Sequence, residues 1–271
     1  MFCTSPGLRQ LYGTQKRMKE LLKRAGQSGS KKTAAPKKKK KGGKRILAWL
    51  RNLCLFILFF PVLQVLIFKW IPVYVTPLMV IRSVEQKLEG RQLRLEHRWV
   101  PLAEISQSLC QAVVASEDNL FLSHGGFDFD QIKKAREKAA QGGALRGAST
   151  VSQQTAKNVF LWPGRSYVRK GIEAYYTLLM EWIWGKERIM EVYLNSIEMG
   201  DGIYGAQAVA QARFNKKASQ LSRSESALIA ATLPNPLRFN SARPSDYTQK
   251  RQAQILSLMN KIERIEMGYR P

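Results

Sequence analysis

The chain is poor in the residues that most often carry reactive chemistry. It has only two histidines, His97 and His124, in 271 residues, too few for a histidine-based metal cluster. Its three cysteines, Cys3, Cys54 and Cys110, form no C-x-x-C pair and no metal-ligand spacing. Neither a disulfide framework nor a zinc site is expected. Acidic residues are scarce as well, with 20 Asp/Glu against 44 Lys/Arg and a formal charge of +24. There is no Rossmann or P-loop fingerprint, no repeat of about 20–50 residues and no run of strand-like alternation. These absences exclude the common nucleotide-binding folds and repeat architectures, and they leave a mainly α-helical chain.

The charge is unevenly placed. Residues 1–51 hold 16 Lys/Arg and a single acid, Glu20, while the rest of the chain holds 28 Lys/Arg and 19 acids. Residues 1–45 are low in complexity, with an unbroken basic run from Lys37 to Lys41. They cannot bury a core and are expected to form a disordered tail, although Leu11–Leu22 could make a short helix. Such a tail could meet nucleic acid or anionic lipid. Residues 46–71 are almost continuously apolar and are expected to form one transmembrane anchor, because about 20 apolar residues span a bilayer. A buried core helix would show a partner face. A cleaved signal peptide would have a shorter head and a clean small-residue cleavage site. Trp49, Trp70 and Tyr74 fall where an aromatic belt would lie. Positive charge beside a span stays cytoplasmic. The folded part is therefore expected in the periplasm of an inner membrane, and no nucleic-acid partner is expected for it. Residues 72–100 read as a membrane-proximal segment whose apolar part, Val73 to Ile81, either lies on the membrane or packs on the domain. Residues 101–271 form the main domain.

Within that domain the apolar spacing is helical. Leu102, Ile105, Leu109, Ala112, Val113 and Ser116 mark one buried face and deliver Glu117 at its end. Gly142, Gly143 and Gly147 mark a loop. Ser149 or Thr150 can cap a helix to about Phe160, and Ile172, Tyr175, Tyr176, Leu179, Met180 and Ile183 form a second stripe. Further helices are expected over Lys186–Leu194, Ala206–Phe214 and Ala227–Leu233, the last opened by a Ser222/Glu225 capping box, and over residues 246–266.

Polar chemistry concentrates between Ala115 and Glu173. Glu117 and Glu173 could be a pair of carboxylates for reaction at a sugar anomeric centre. They could equally be a helix-end glutamate and an Arg169–Glu173 i, i+4 ion pair. Ser149, Thr150, Gln153, Gln154 and Asn158 suit either hydrogen bonding to a polyhydroxylated ligand or a solvated helix face. Lys157, Arg165, Arg169 and Lys170 suit phosphate or pyrophosphate, or else an anionic membrane surface. His124 has no partner at catalytic spacing and reads as structural. A Ser28-x-x-Lys31 match falls in the tail and lacks the context of a serine nucleophile.

Taken together these stretches resemble the peptidoglycan glycosyltransferases, family 51 of the glycosyltransferases. Glu117-Asp118-x-x-Phe121-x-x-His124-x-Gly126 resembles the family's first motif, and Gly147-x-Ser149-Thr150-x-x-Gln153-Gln154-x-x-Lys157-Asn158 its second. Arg169-Lys170-x-x-Glu173 resembles the third, and Lys186-x-x-Ile189-x-x-x-Tyr193-Leu194-Asn195, followed by Gly202-x-x-Gly205, the fourth. The resemblance covers about residues 75–240, and the short chain is similar to the monofunctional members. It implies a lysozyme-like helical domain with a larger head and a small membrane-facing jaw. It also implies polymerisation of lipid II into β-1,4-linked glycan with release of undecaprenyl pyrophosphate. On that resemblance Glu117 and Glu173 are catalytic. Asp118, Ser149, Thr150, Gln153, Gln154, Lys157, Asn158, Arg165, Arg169 and Lys170 bind substrate. No metal-ligand set is visible, and Mg or Mn could assist departure of the pyrophosphate. The implied partners are lipid II, the growing strand, the inner membrane and proteins of cell division or elongation. The 34 residues after Leu237 leave no room for a transpeptidase domain, so cross-linking activity is not expected. A lytic glycosidase on the same fold and a non-catalytic cell-wall scaffold are the alternatives.

Overall fold

The structure, a computed structural model, describes residues 17–23, 41–142, 149–164 and 166–268. Most of the basic tail, the expected glycine loop at residues 143–148 and Arg165 lie outside the described residues. The chain divides into two compact units, Met1–Leu53 and Cys54–Pro271. In the first, residues 17–23 are helical and exposed.

Helix α1, Lys41–Phe68, is long and apolar, with Pro61 in its interior. Its segment Arg45–Phe68 has a mean hydropathy of 2.1 and is almost wholly unburied. Its 24 residues rise about 36 Å, enough to cross a hydrocarbon layer of about 30 Å. The C-terminal part of α1 is tied into the second unit through its own carbonyls, which have no partner in the last turn of a helix. Trp184 Nε1 donates to Val65 O at 2.7 Å, and Arg188 donates to Phe68 O at 2.8 and 3.1 Å and to Ile71 O at 2.8 Å. The Tyr175 hydroxyl donates to Leu58 O at 2.7 Å, three residues before Pro61, and Tyr176 bonds to Gln64.

The second unit is mainly helical. After α2 (Pro77–Leu88) come α3 (Gln107–Glu117), α4 (Phe129–Ala140), α5 (Val151–Phe160), α6 (Tyr167–Ile183) and α7 (Gly185–Ser196). Then follow α8 (Ala206–Phe214), α9 (Arg223–Thr232) and α10 (Asp246–Met259). The helix expected from Leu102 starts at Gln107, because Ile105 is extended and the Ser106 hydroxyl bonds to Leu221 O across the domain. The final helix stops at Met259 rather than reaching 266. Beyond it Gln111 captures the chain, accepting from Ile265 N and donating to Glu263 O. The segment expected as a linker over 72–100 contains α2, opened by Pro77 at its first position and by a Thr76 hydroxyl that accepts from Met79 N.

Two helical layers make the core. α3, α9 and α10 pack through Ala112, Ala115, Ala227, Ala230 and Ala231, whose small side chains let the helices approach closely. α5, α6 and α7 pack around Met180, Ile189, Met190 and Tyr193. A three-stranded patch in the order β1-β3-β2 joins Glu96–His97, Ile203–Tyr204 and Glu198–Gly200, parallel in the first pairing and antiparallel in the second. Its strands are two or three residues long, too short to show alternation in the sequence. Gly205, which follows β3, has φ 82 and ψ 167, a conformation confined to glycine, and a Cβ there would stand 2.4 Å from Asn195 O. Gly205→Ala should therefore lower folding stability by about 2 kcal/mol or more, read as a fall in thermal midpoint by circular dichroism.

Candidate active site

Glu117 is the last residue of α3, where the amphipathic face of that helix runs out. Its Oε2 accepts from Gln154 Nε2 at 3.0 Å. The Gln154 Oε1 in turn accepts from the Tyr193 hydroxyl at 3.1 Å. Tyr193 is fully buried, and burial holds its phenol protonated far above its ordinary range, so its O–H is available to donate to Gln154. This fixes the amide with its NH₂ toward Glu117. Burial pushes the Glu117 carboxyl up from its ordinary value, and Asp118 adds to the rise. The Gln154 hydrogen bond and the charge of Arg251 oppose it. A carboxylate with one strong donor and little water is a stronger base than an exposed one.

Asp118 faces away from that chain of bonds. Its Oδ2 accepts from Val151 N at 2.9 Å, in the first turn of α5, and its Oδ1 meets His124 Nε2 at 2.8 Å. His124 Nδ1 accepts from Gly126 N at 3.1 Å, so the ring proton sits on Nε2 and points at Asp118. Thr150 donates to Gly126 O at 2.7 Å and caps α5 in a reciprocal capping box with Gln153. The polar atoms of Asp118, Thr150 and Gln153 thus build the loop and the start of α5.

Glu173, in the second turn of α6, is buried between two cations. Arg169 Nη1 lies 3.0 Å from Oε2 and Lys170 Nζ 2.5 Å from Oε1. The i, i+4 ion pair is present, and the same group faces a cavity. That cavity, about 770 Å³, is a cleft that gathers Glu117, Ser149, Gln153, Gln154, Lys157, Asn158, Arg169, Lys170 and Glu173. A second cavity of about 440 Å³ is lined by Asp118 and Thr150. Ser116, Glu117 and Ser149 line both, so Glu117 stands at the border between them. Among the expected site residues only Arg165 falls outside the described residues.

Four residues of the site were not singled out from the sequence as such. Tyr193 sits within the fourth motif, but nothing in its spacing announced a hydrogen bond to Gln154. Arg251 reaches the Glu117 region from α10, where it donates to Ser116 O at 3.5 Å, and it belongs to no motif. Arg82 and Glu198 line the cleft from α2 and β2. Among the described residues no group of three or more His, Cys, Asp or Glu is arranged to hold a metal ion.

Because burial raises the Glu117 pKa above its unfolded value, the protonated carboxyl is the form the fold prefers. That stabilising contribution is present at acidic pH and is lost as pH rises through the folded pKa. Glu117→Gln, an uncharged isostere, should therefore be more thermostable than wild type at pH 7–8, with the gap closing toward pH 4. A pH series of melting curves reads it directly, and a gap that does not vary with pH would show that Glu117 carries no burial penalty. Tyr193→Phe frees the Gln154 amide to rotate and should reduce turnover about 2- to 10-fold, the worth of one hydrogen bond, with the fold retained in circular dichroism.

Comparison with known proteins shows the family. A family profile described as Transglycosylase matches residues 85–260. A protein of Bacteroides thetaiotaomicron named biosynthetic peptidoglycan transglycosylase is 59% identical over 219 residues, covering 81% of this chain and 88% of that protein. Proteins of the same name from Caulobacter vibrioides and Bdellovibrio bacteriovorus are 51% and 52% identical over 217 and 193 residues. These alignments cover 79% and 71% of this chain, and 92% and 77% of the relatives. The profile, the relatives and the helical fold agree, and the chain belongs to the transglycosylase family.

Proposed function

We propose that the protein is a peptidoglycan glycosyltransferase that polymerises lipid II into β-1,4-linked glycan strands. The observation that carries this reading is the position of Glu117, a half-buried carboxylate at the border of two cavities, one of them lined by Lys157, Arg169 and Lys170. Transfer between two lipid-linked sugars needs room for a donor and an acceptor, with one base between them. Glu117 takes the proton from the 4-hydroxyl of the acceptor N-acetylglucosamine, and that oxygen attacks C1 of the muramyl donor. The new C1–O4 bond forms as the C1–O bond to pyrophosphate breaks on the opposite face, so the α-linked donor becomes a β-linked product. The pyrophosphate leaves with its electron pair, and Lys157, Arg165, Arg169 and Lys170 meet its charge. Glu173 orients Arg169 and Lys170 toward it. Ser149, Gln154 and Asn158 hold sugar and phosphate oxygens. No step is assigned to a metal.

The membrane setting fits this substrate. α1 is long and apolar enough to cross a bilayer. On α6, Tyr167, Leu178 and Trp182 are exposed, and they supply an apolar surface that can rest among lipid tails. The basic residues before the span favour a cytoplasmic N-terminus, an inner-membrane location and a periplasmic cleft. A lytic glycosidase would have no use for the cations around Glu173, and no observation favours it.

Wild-type protein incubated with labelled lipid II in detergent should yield polymer that lysozyme digests. Glu117→Gln should be slower by about 10²- to 10⁴-fold, the usual worth of a positioned base. The wild-type rate should rise with pH through an apparent pKa above the ordinary carboxylate range, because only ionised Glu117 accepts the proton. Absence of polymer from wild type across several detergents would rule the reading out.

A further inference from the structure

The cleft holds a third carboxylate–arginine pair, outside all four motifs. Glu198 on β2 is buried and lines the cleft together with Glu117 and Glu173, and Arg82 on α2 lines it beside them. Contact between the two is loose. Arg82 Nε stands 3.5 Å from Glu198 Oε2, and the Tyr204 hydroxyl is 3.3 Å from Oε1. Arg82 Nη1 is held firmly by Glu85 at 2.8 Å, yet its buried Nε makes no hydrogen bond. An ion pair that served only to pin α2 to the sheet would close to bonding distance, as Arg188 and Glu191 do at 2.5 Å. With Nη1 tied to Glu85 and Nε buried against Glu198, Nη2 is the guanidinium nitrogen left to meet an oxyanion through a charge-assisted hydrogen bond. The lining is largely polar, but Leu78, one turn earlier on α2, and Trp162 and Pro163 add apolar side chains to it. Cations and these apolar side chains in one cleft suit an anion that carries a hydrocarbon chain.

We propose that Arg82 binds a phosphate of the polyprenyl pyrophosphate-linked substrate, with Glu198 offsetting its charge while the cleft is empty. The inference rests on the reading of the cleft as a site for lipid pyrophosphates. Donor and acceptor each carry a pyrophosphate, and the recognition chemistry is the same for both.

Full-length R82A, R82K and E198Q would be compared with wild type in lipid II polymerisation and in calorimetric binding of farnesyl pyrophosphate. R82A should raise KM about 10- to 100-fold, the worth of a charge-assisted hydrogen bond, with a smaller change in kcat. R82K should fall between R82A and wild type. E198Q removes the competing negative charge and should move KM and farnesyl pyrophosphate binding in the opposite direction, toward tighter binding. A purely structural ion pair predicts the reverse, with R82A and E198Q losing activity together as their melting temperatures fall. That result, or an R82A enzyme with wild-type KM and wild-type binding, overturns the proposal. If R82A does not fold, R82K and E198Q decide by the same criterion of opposite signs. A lipid II analogue lacking the 4-hydroxyl can act only as donor. A raised KM for it in R82A assigns the phosphate to the donor, and an unchanged one beside a raised KM for intact lipid II assigns it to the acceptor. Wild-type protein that makes no polymer but binds farnesyl pyrophosphate through Arg82 would sink the polymerase reading and leave the phosphate site standing.

Discussion

The Asp118 carboxylate joins two helices end to end. It follows the last residue of α3 and accepts the Val151 N–H in the first turn of α5, where the helix dipole favours a negative charge. His124 holds its other oxygen, and Gly126 holds His124. This chain of bonds sets the distance between Glu117 on one helix and Gln154, Lys157 and Asn158 on the other. With Asp118 removed, Val151 N–H and the His124 ring would be left in a buried place without a partner, a costly condition in low dielectric. The first and second motifs are therefore one mechanical unit, although about thirty residues separate them in the sequence.

Within the frame so fixed, three glutamates share a cleft and meet different surroundings. Glu117 has burial and a single amide donor, so its charged form is disfavoured. Glu173 has two cations at bonding distance, Arg169 and Lys170, so its charge is matched by partners on its own helix. Glu198 is buried near Arg82 and Tyr204, and burial raises its pKa against the pull of Arg82. On the proposed reading one residue type supplies a base, an orienting anion and a charge offset, and the environment decides which.

Much of this was legible in the sequence because the cues were local. The cap at Ser149 or Thr150, which falls on Thr150, the capping box at Ser222/Glu225, the apolar stripe of α6 and the long apolar run before residue 71 depend on neighbours three or four residues away, or on none. Where tertiary contacts decide, the sequence was silent. α10 ends early because Gln111, more than a hundred residues away, takes the hydrogen bonds of the following segment. α4 passed unnoticed because its buried face is thin, with Ala135 alone fully covered. The strand patch is made by long-range pairing of seven residues. For Glu173 the spacing offered a catalytic carboxylate or an Arg169–Glu173 ion pair as alternatives; the ion pair is present, and the residue also lines the cleft. Arg82 was hidden in a stretch that reads as linker, although Thr76-Pro77 is a legitimate helix start.

The docking of α1 follows from the same requirement for satisfied polar groups. The last carbonyls of a helix have no partner within its own regular ladder. Here Trp184 and Arg188 donate to those carbonyls, and Arg188 also lies over the Trp99 ring at 5.1 Å. Tyr176, which bonds to Gln64 of the same helix, stacks on Phe160 at the end of α5. The α5 helix that presents Lys157 and Asn158 is thus packed, through one ring, against a residue bonded to the apolar helix. On the proposed reading this matters because the substrate is an amphiphile whose phosphates lie at a fixed depth below the water. A cleft on a slack tether would have to find that depth at each encounter. A cleft bonded to the last turns of its own span is already there, and the binding free energy that would otherwise go into ordering can act on the reacting sugars.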